Sequence, residues 1–370
     1  MLKKIIIFTV LLSSFQAFSQ NICEHKNTPE HTCVTALDAA KQMGKGFNLG
    51  QMFENAQHEP SLRSAKLKID AYHARGFRNV RIPITWTEKK YNNYLADPKS
   101  GKIFSNNSRF IALTAVIDYA LNKKDMFVVI NAHHEKKLKE NADAALLANL
   151  WEDISQTFKN RNARLLYEIL NEPHLKDSSA MKPSDLRKMT QMAYNNIRKN
   201  DVNRLVVIGG NQWFSADEMA KTWPDIKQVG SGTDPFIMAT FHHYKPWAFH
   251  GNGEGDFMDK WTEQDLTKSM EIMEEWSKNI GHGMPVYIGE WGTAWQNELA
   301  IMDCNNIRLW YSKFDAEYAS SKGMPTAVWD DGGWFKVFDH DTNAFDNNLI
   351  DCIDGECKWS SEIRFNSACK

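Results

Sequence analysis

The chain has 370 residues, 42% of them hydrophobic and 24% charged, the balance of a globular protein with a large core and not of a disordered, fibrous or multi-span membrane chain. A net charge of −2 and a pI near 6.6 offer no basic surface for nucleic acid or anionic lipid. The 13 tryptophans suit a protein that stacks flat, uncharged ligands as well as filling a core.

The N-terminal residues read as a targeting signal. Lys3 and Lys4 precede the apolar run Ile5 to Leu12, and small residues close the stretch Ala17-Phe18-Ser19-Gln20. This pattern predicts a secretory signal peptide over residues 1–19, cut after Ser19, and a mature domain over 20–370 outside the cytoplasm, either extracellular or periplasmic. The apolar run is far short of the ~20 residues a membrane span needs, so no membrane insertion is expected. Six cysteines follow: Cys23, Cys33, Cys304, Cys352, Cys357 and Cys369. An even count in a secreted chain suggests disulfides, with about 15 connectivities open for six residues. Cys23 with Cys33 and Cys352 with Cys357 are neighbours in sequence, which would leave Cys304 for Cys369.

Short apolar runs then alternate with amphipathic stretches. The strand-like runs are GKGFNLG (44–50), NVRIPI (79–84), MFVVINA (126–132), LLYEIL (165–170), RLVVIGG (204–210), FIMATFHH (236–243), PVYIGE (285–290) and PTAVWD (325–330). Continuous apolar runs suit strands buried on both faces of a parallel sheet. Helical stretches between them include residues 61–76, 109–124, 142–160 and 184–200, the second with an apolar stripe through Ile111, Ala115, Ile117 and Leu121. Length alone would suggest about two domains. The β–α alternation instead predicts an α/β fold, a single (β/α)8 TIM barrel. No GxGxxG follows an early strand and no GxxxxGK[ST] occurs, so nucleotide chemistry loses its main support. The polar, cysteine-bearing segment after Asp341 reads as a short disulfide-stapled extension, and HGNGEGD (250–256) as a loop above the sixth strand.

Barrel enzymes carry their chemistry at the C-terminal ends of the strands. Those ends supply Arg81, Asn131-Ala132-His133-His134, Asn171-Glu172-Pro173, His242-His243-Tyr244, Gly289-Glu290-Trp291-Gly292 and Trp329. Strands four and seven face each other across a barrel mouth. Glu172 and Glu290 can therefore act as a pair, one protonated and one ionised, which is the requirement for cleaving a glycosidic bond. His133, His134, His242 and His243 raise zinc as another reading. Zinc hydrolases on barrels usually add an HxH on the first strand, and FNLG has no histidine, so no metal and no cofactor are expected.

Together, LNEP around Glu172, IGEWG around Glu290, VRIP around Arg81, the His pair after strand three and HxY after strand six resemble glycoside hydrolase family 5 over residues 44–350. The resemblance implies a retaining enzyme with Glu172 as acid/base and Glu290 as nucleophile. It implies that Asn171 bonds the sugar 2-hydroxyl, that Arg81 and Tyr244 bond the nucleophile, that His133 and His242 line the −1 subsite and that Trp329 lies beneath its sugar. A guanidinium beside Glu290 should depress the carboxyl's pKa, so loss of Arg81 should lower kcat more than stability.

Beyond these residues, Asn48 is read as a contact near the nucleophile or as the close of a turn, and Trp213 as an outer sugar platform. Trp247, Trp291, Trp295 and Trp334 are candidate rim stackers. His134 and His243, opposite their neighbours by alternation, are expected in the barrel wall. The charges from Lys136 to Glu140 read as a solvated helix entry. Gln51-Met52-Phe53-Glu54 departs from the small polar stretch of cellulase-like members, which leaves the substrate open. The expectation is a monomeric endo-β-1,4-glucanase acting on a soluble or amorphous polysaccharide or its oligosaccharides. Enzymes for β-mannan, xyloglucan, xylan or β-1,3-glucan, and a non-catalytic sugar-binding barrel, are the alternatives.

Overall fold

The computed structural model describes Cys23 and residues 33–55, 60–90, 93–247, 261–293, 309–345 and 349–356. Eight parallel strands close into a barrel in chain order. They are β1 (Gly46–Asn48), β2 (Asn79–Ile82), β3 (Phe127–Asn131), β4 (Leu165–Glu168), β5 (Leu205–Gly209), β6 (Ile237–His243), β7 (Val286–Trp291) and β8 (Thr326–Val328), and each lies on one of the eight apolar runs, β7 reaching one residue past its run. Every residue of these strands is buried, because helices cover the outer face and side chains fill the inside.

The interior explains where the chemistry sits. At the N-terminal end it is apolar: Phe127, Val129, Leu166, Leu205, Val207, Phe236, Met238, Tyr287 and Ala327 form one cluster. The helix Ala36–Met43 plugs that end with Ala36, Ala39, Ala40 and Met43, anchored by a bond from Ala36 N to Pro235 O at 2.8 Å. Nearer the C-terminal ends the inward positions turn polar, with Asn48, Arg81, Asn131, Glu168, His242 and Glu290 all buried. Charged groups there need partners, and they find one another.

The helices Leu62–Ala74, Ser108–Leu121, Ala144–Phe158 and Pro183–Asn200 lie on the expected stretches. The stripe on Ser108–Leu121 is rotated from the expected one. Phe110, Leu113, Val116, Ile117, Ala120 and Leu121 are buried, whereas Ile111 is exposed and Ala115 half-buried. The barrel-facing arc follows the larger cluster that includes Phe110 and Leu113.

After β8 the chain forms a two-stranded antiparallel sheet, β9 (Phe338–Asp339) with β10 (Ala344–Phe345), and the helix Leu349–Ile353. Ion pairs dock this extension on the barrel base: Asp354 meets Lys45 at 2.5 Å and Arg75 at 2.7 Å. The disulfide with both cysteines described, Cys23–Cys33, joins the expected neighbours at the N-terminal side of the chain. Cys352 is also disulfide-bonded, but Cys304, Cys357 and Cys369 lie outside the described residues, as do residues 1–19, the loop 250–256 and Trp295.

Candidate active site

Arg81 is the hub. It is fully buried on β2 and five bonds occupy its guanidinium. Nε and Nη2 grip Glu168 of β4 at 2.7 and 2.6 Å, in the fork geometry that suits a carboxylate. Nη1 donates to Glu290 at 2.6 Å and to Asn48 at 2.9 Å, and Nη2 also donates to Asn171 at 2.6 Å. Asn48 is fully buried, and its amide group donates to Gly289 O at 3.0 Å and Ala327 O at 3.1 Å. It therefore orients Arg81 and ties β1 to β7 and β8 from beneath the cleft, out of reach of a sugar.

Glu290 owes its aim to a bulge. Tyr287 points into the barrel and Ile288 outward, so strict alternation would turn Glu290 outward too. The register of β7 shifts against both β6 and β8 around Gly289 and Glu290, which brings Glu290 level with His242 and facing inward. Gly289 permits this: a Cβ there would lie 2.9 Å from Thr240 Oγ1 and 3.2 Å from His242 Nε2.

Glu172 follows β4 with a left-handed backbone, φ 44°. Its Oε1 lies 2.7 Å from His242 Nδ1, which is itself 3.4 Å from Glu290 Oε2. One oxygen from each glutamate and a nitrogen of His242 all lie within 4.8 Å of one another. That trio is also the set of described residues that could hold a metal ion, and the four-histidine cluster is not assembled as one.

The donors distinguish the two carboxyls. Glu290 accepts from the Arg81 guanidinium and, at 3.0 Å, from the Tyr244 hydroxyl. Among the described residues, Glu172 has His242 as the one side chain bonded to its carboxyl. Burial pushes both carboxyls above the usual range. For Glu290 this reverses the expected depression: burial outweighs His242 and Arg81, and Arg81 divides its charge with Glu168. Glu168 shows the opposite balance, because Arg81's double grip outweighs burial and holds it below the usual range. Burial pushes His242 down to about 4 and His134 to about 3, so both rings are neutral near pH 7. The arrangement can therefore offer one anchored carboxylate and one proton-bearing carboxyl to a bond lying between them.

The Arg81 network revises the expected effect of its loss. Arg81→Met would strand Glu168 and Glu290 as buried carboxyls without their cation, at a cost of about 3–5 kcal/mol in stability. The acidic limb of kcat/KM should move up by ~1–3 units, because the group that favours charged Glu290 is gone. Thermal melts and a pH–rate profile check both effects, and an unmoved acidic limb would exclude Arg81 from this role.

Of the other predicted residues, His133 is nearly fully buried and stacks on Trp329, ring centroids 6.0 Å apart and 8° from parallel. Asn171 Nδ2 lies 3.4 Å from His133 Nε2. Asp330, the residue after Trp329, is pinned in place, accepting from Tyr72 at 2.7 Å and pairing with buried Lys68 at 2.9 Å. Trp213 is 44% exposed and stacks on His174 at 3.7 Å, held out by three successive left-handed residues, Gln212, Trp213 and Phe214. Trp247 and Trp334 are exposed, as rim positions require. Trp291 is not at the rim: it is fully buried against Phe314 at 4.7 Å, on the outer wall where His243 also packs. Met52, Phe53 and Glu54 are fully buried. Burial raises the Glu54 carboxyl to about 8.

Two residues escaped the sequence reading. Glu168 lies in LLYEIL, a run buried on both faces, where a carboxylate demands a cation, and Arg81 is the cation in NVRIPI. Lys139, taken for part of a solvated helix entry, is buried and donates to the carbonyls of His133 and Glu172, each at 3.2 Å.

A strand-four and strand-seven glutamate pair at the mouth of a closed barrel defines a glycosidase-type site. The model of the family described as cellulase, glycosyl hydrolase family 5, matches residues 40–333, and the chain belongs to that family. It is 27% identical over 341 residues to Endoglucanase H of Acetivibrio thermocellus, covering 88% of this chain but only 35% of that relative. Endoglucanase A of Ruminococcus albus is 26% identical over 360 residues, covering 89% of this chain and 90% of the relative. The crystal structure of an endoglucanase from Thermotoga maritima superposes with a TM-score of 0.69 at 25% identity, covering 86% of this chain and all of that one.

Proposed function

We propose that this chain is a secreted, monomeric endo-β-1,4-glucanase working by double displacement, with residues 20–370 as its catalytic domain behind a leader over 1–19 and with its cysteines paired in an oxidising compartment. The observation that carries this reading is the approach of Glu172 and Glu290 carboxyl oxygens to within 4.8 Å. Retaining enzymes keep their carboxyl groups ~5–5.5 Å apart, whereas inverting ones need ~6.5–9.5 Å to admit a water.

Glu290, held by Arg81 and Tyr244, attacks the anomeric carbon while Glu172 gives its proton to the leaving oxygen. Glu172 then takes a proton from the water that breaks the glycosyl ester. Asn171 Nδ2 reaches the −1 sugar, and Trp329 supports its apolar face. Trp213 on His174 offers a second ring on the Glu172 side, where the leaving sugar departs. The relatives' endoglucanase names support the β-1,4-glucan assignment.

A panel of soluble cellulose derivatives, mixed-linkage glucan, xyloglucan, mannan, xylan and β-1,3-glucan tests this, read by reducing ends and viscosity. Carboxymethylcellulose viscosity should fall faster than reducing ends rise. Preferred cleavage of mannan or xylan would replace the substrate, and silence on every polymer would favour a binding barrel.

A further inference from the structure

Lys139 sits on the short helix Lys136–Glu140 that follows β3 and is 3% exposed. A buried ammonium is costly unless its donors are satisfied, and this one spends two of them on main-chain carbonyls. One is His133 O, beside the −1 subsite, and the other is Glu172 O, each at 3.2 Å. Glu172 holds a left-handed φ of 44°, which a residue with a Cβ adopts only when its surroundings enforce it. His174 Nδ1–H donates to the same Glu172 carbonyl at 2.6 Å, so two donors converge on the main chain of one residue.

Resting on the reading of Glu172 as acid/base, we propose that Lys139 is a positioning residue: it clamps the Glu172 main chain so that the carboxyl faces the bond to be cut, and it keeps a buried positive charge beside that carboxyl. The charge matters because Glu172 must serve as acid in one step and base in the next. A neighbouring cation favours the carboxylate, which helps the step that hydrolyses the ester and brings loss of the proton to lower pH.

Glu172 faces other charges as well. Arg81 favours its carboxylate form from β2, and Glu168 opposes that form from β4. His242 and Glu290 face it from β6 and β7, His133 approaches the neighbouring Asn171 from the end of β3, and Tyr244 bears on it from beyond β6. Lys139 in turn feels Glu135 and Lys136 on its own segment and Glu290 across the cleft, and its charge bears on His134 and His174. Among the cations acting on Glu172, Lys139 has the largest effect.

The test uses the full chain with Lys139→Met, Lys139→Gln and Lys139→Arg. Lys139→Gln keeps donors for the carbonyls without the charge, and Lys139→Arg keeps the charge. The Glu172 carboxyl is titrated by ¹³C NMR with labelled glutamate, its resonance identified by its loss in Glu172→Gln. The proposal expects Glu172 to titrate about one unit or more higher in the Met and Gln variants and close to wild type in the Arg variant. In step, the alkaline limb of kcat/KM should rise with the titration. Cellulose-derivative turnover should fall about tenfold or more in Lys139→Met, while an aryl cellobioside with a good leaving group should lose less than about threefold in its first step. A Glu172 titration unchanged in a folded Met or Gln variant would overturn the role of the charge, and equal losses on both substrates would overturn the clamp. If the wild type cleaves no β-glycan, the acid/base reading fails by itself, and the NMR titration still decides whether Lys139 governs this carboxyl.

Discussion

Glu290→Ala is expected to lose activity on every glycoside, on the order of 10⁵-fold or more, because the proposed covalent intermediate forms on its carboxylate. The fold should survive. Arg81 keeps its two-point grip on Glu168, so removing Glu290 leaves no uncompensated cation in the barrel, and the thermal melt should stay cooperative. Loss of activity with a normal melt separates chemistry from folding. Azide added to this variant should enter the space left by the carboxylate and attack the anomeric carbon as Glu172 protonates the leaving oxygen. One displacement inverts, so the product should be an α-glycosyl azide. Residual wild-type turnover in Glu290→Ala would place the nucleophile elsewhere.

Glu172→Ala should behave differently, and the difference identifies it. Polysaccharide cleavage should fall by ~10²–10⁴-fold, because the leaving sugar oxygen departs poorly without a proton. Aryl glycosides with good leaving groups need no proton in the first step, so they should still glycosylate Glu290 and release a burst of the phenol. Hydrolysis of the ester then stalls for want of a base. Azide has no proton to lose, and it should attack the ester and yield a β-glycosyl azide, with turnover restored in proportion to azide concentration. Absence of rescue, or an α product, would remove Glu172 from the acid/base role.

The barrel was legible because its strands are buried on both faces and read as short apolar runs rich in Val, Ile and Phe. The residues at the strand ends were legible because chemistry in this architecture concentrates there. What stayed hidden depends on contacts between segments far apart in the chain. The inward turn of Glu290 needs a bulge and the close approach of β6 at Gly289, and neither alternation nor composition reports that. Glu168 sits beside an obvious motif, but its worth lies in sharing Arg81 with Glu290, which also explains why Glu290 is not depressed by its cation. Lys139 looked like one lysine in a charged run because local sequence cannot show which of several lysines turns inward. Trp291 was misplaced for the same reason: one step along the bulged strand separates the cleft from the outer wall.

The stereochemistry of the first product tests the central claim most directly. Two displacements at one anomeric carbon, by Glu290 and then by water, return the original configuration. Carboxyl oxygens within 4.8 Å match the ~5–5.5 Å spacing of retaining enzymes better than the ~6.5–9.5 Å of inverting ones. Proton NMR of cello-oligosaccharide hydrolysis, followed from the first minutes before mutarotation mixes the anomers, should show the β anomer accumulating first. Initial release of the α anomer would contradict both glutamate roles and the double-displacement account built on them.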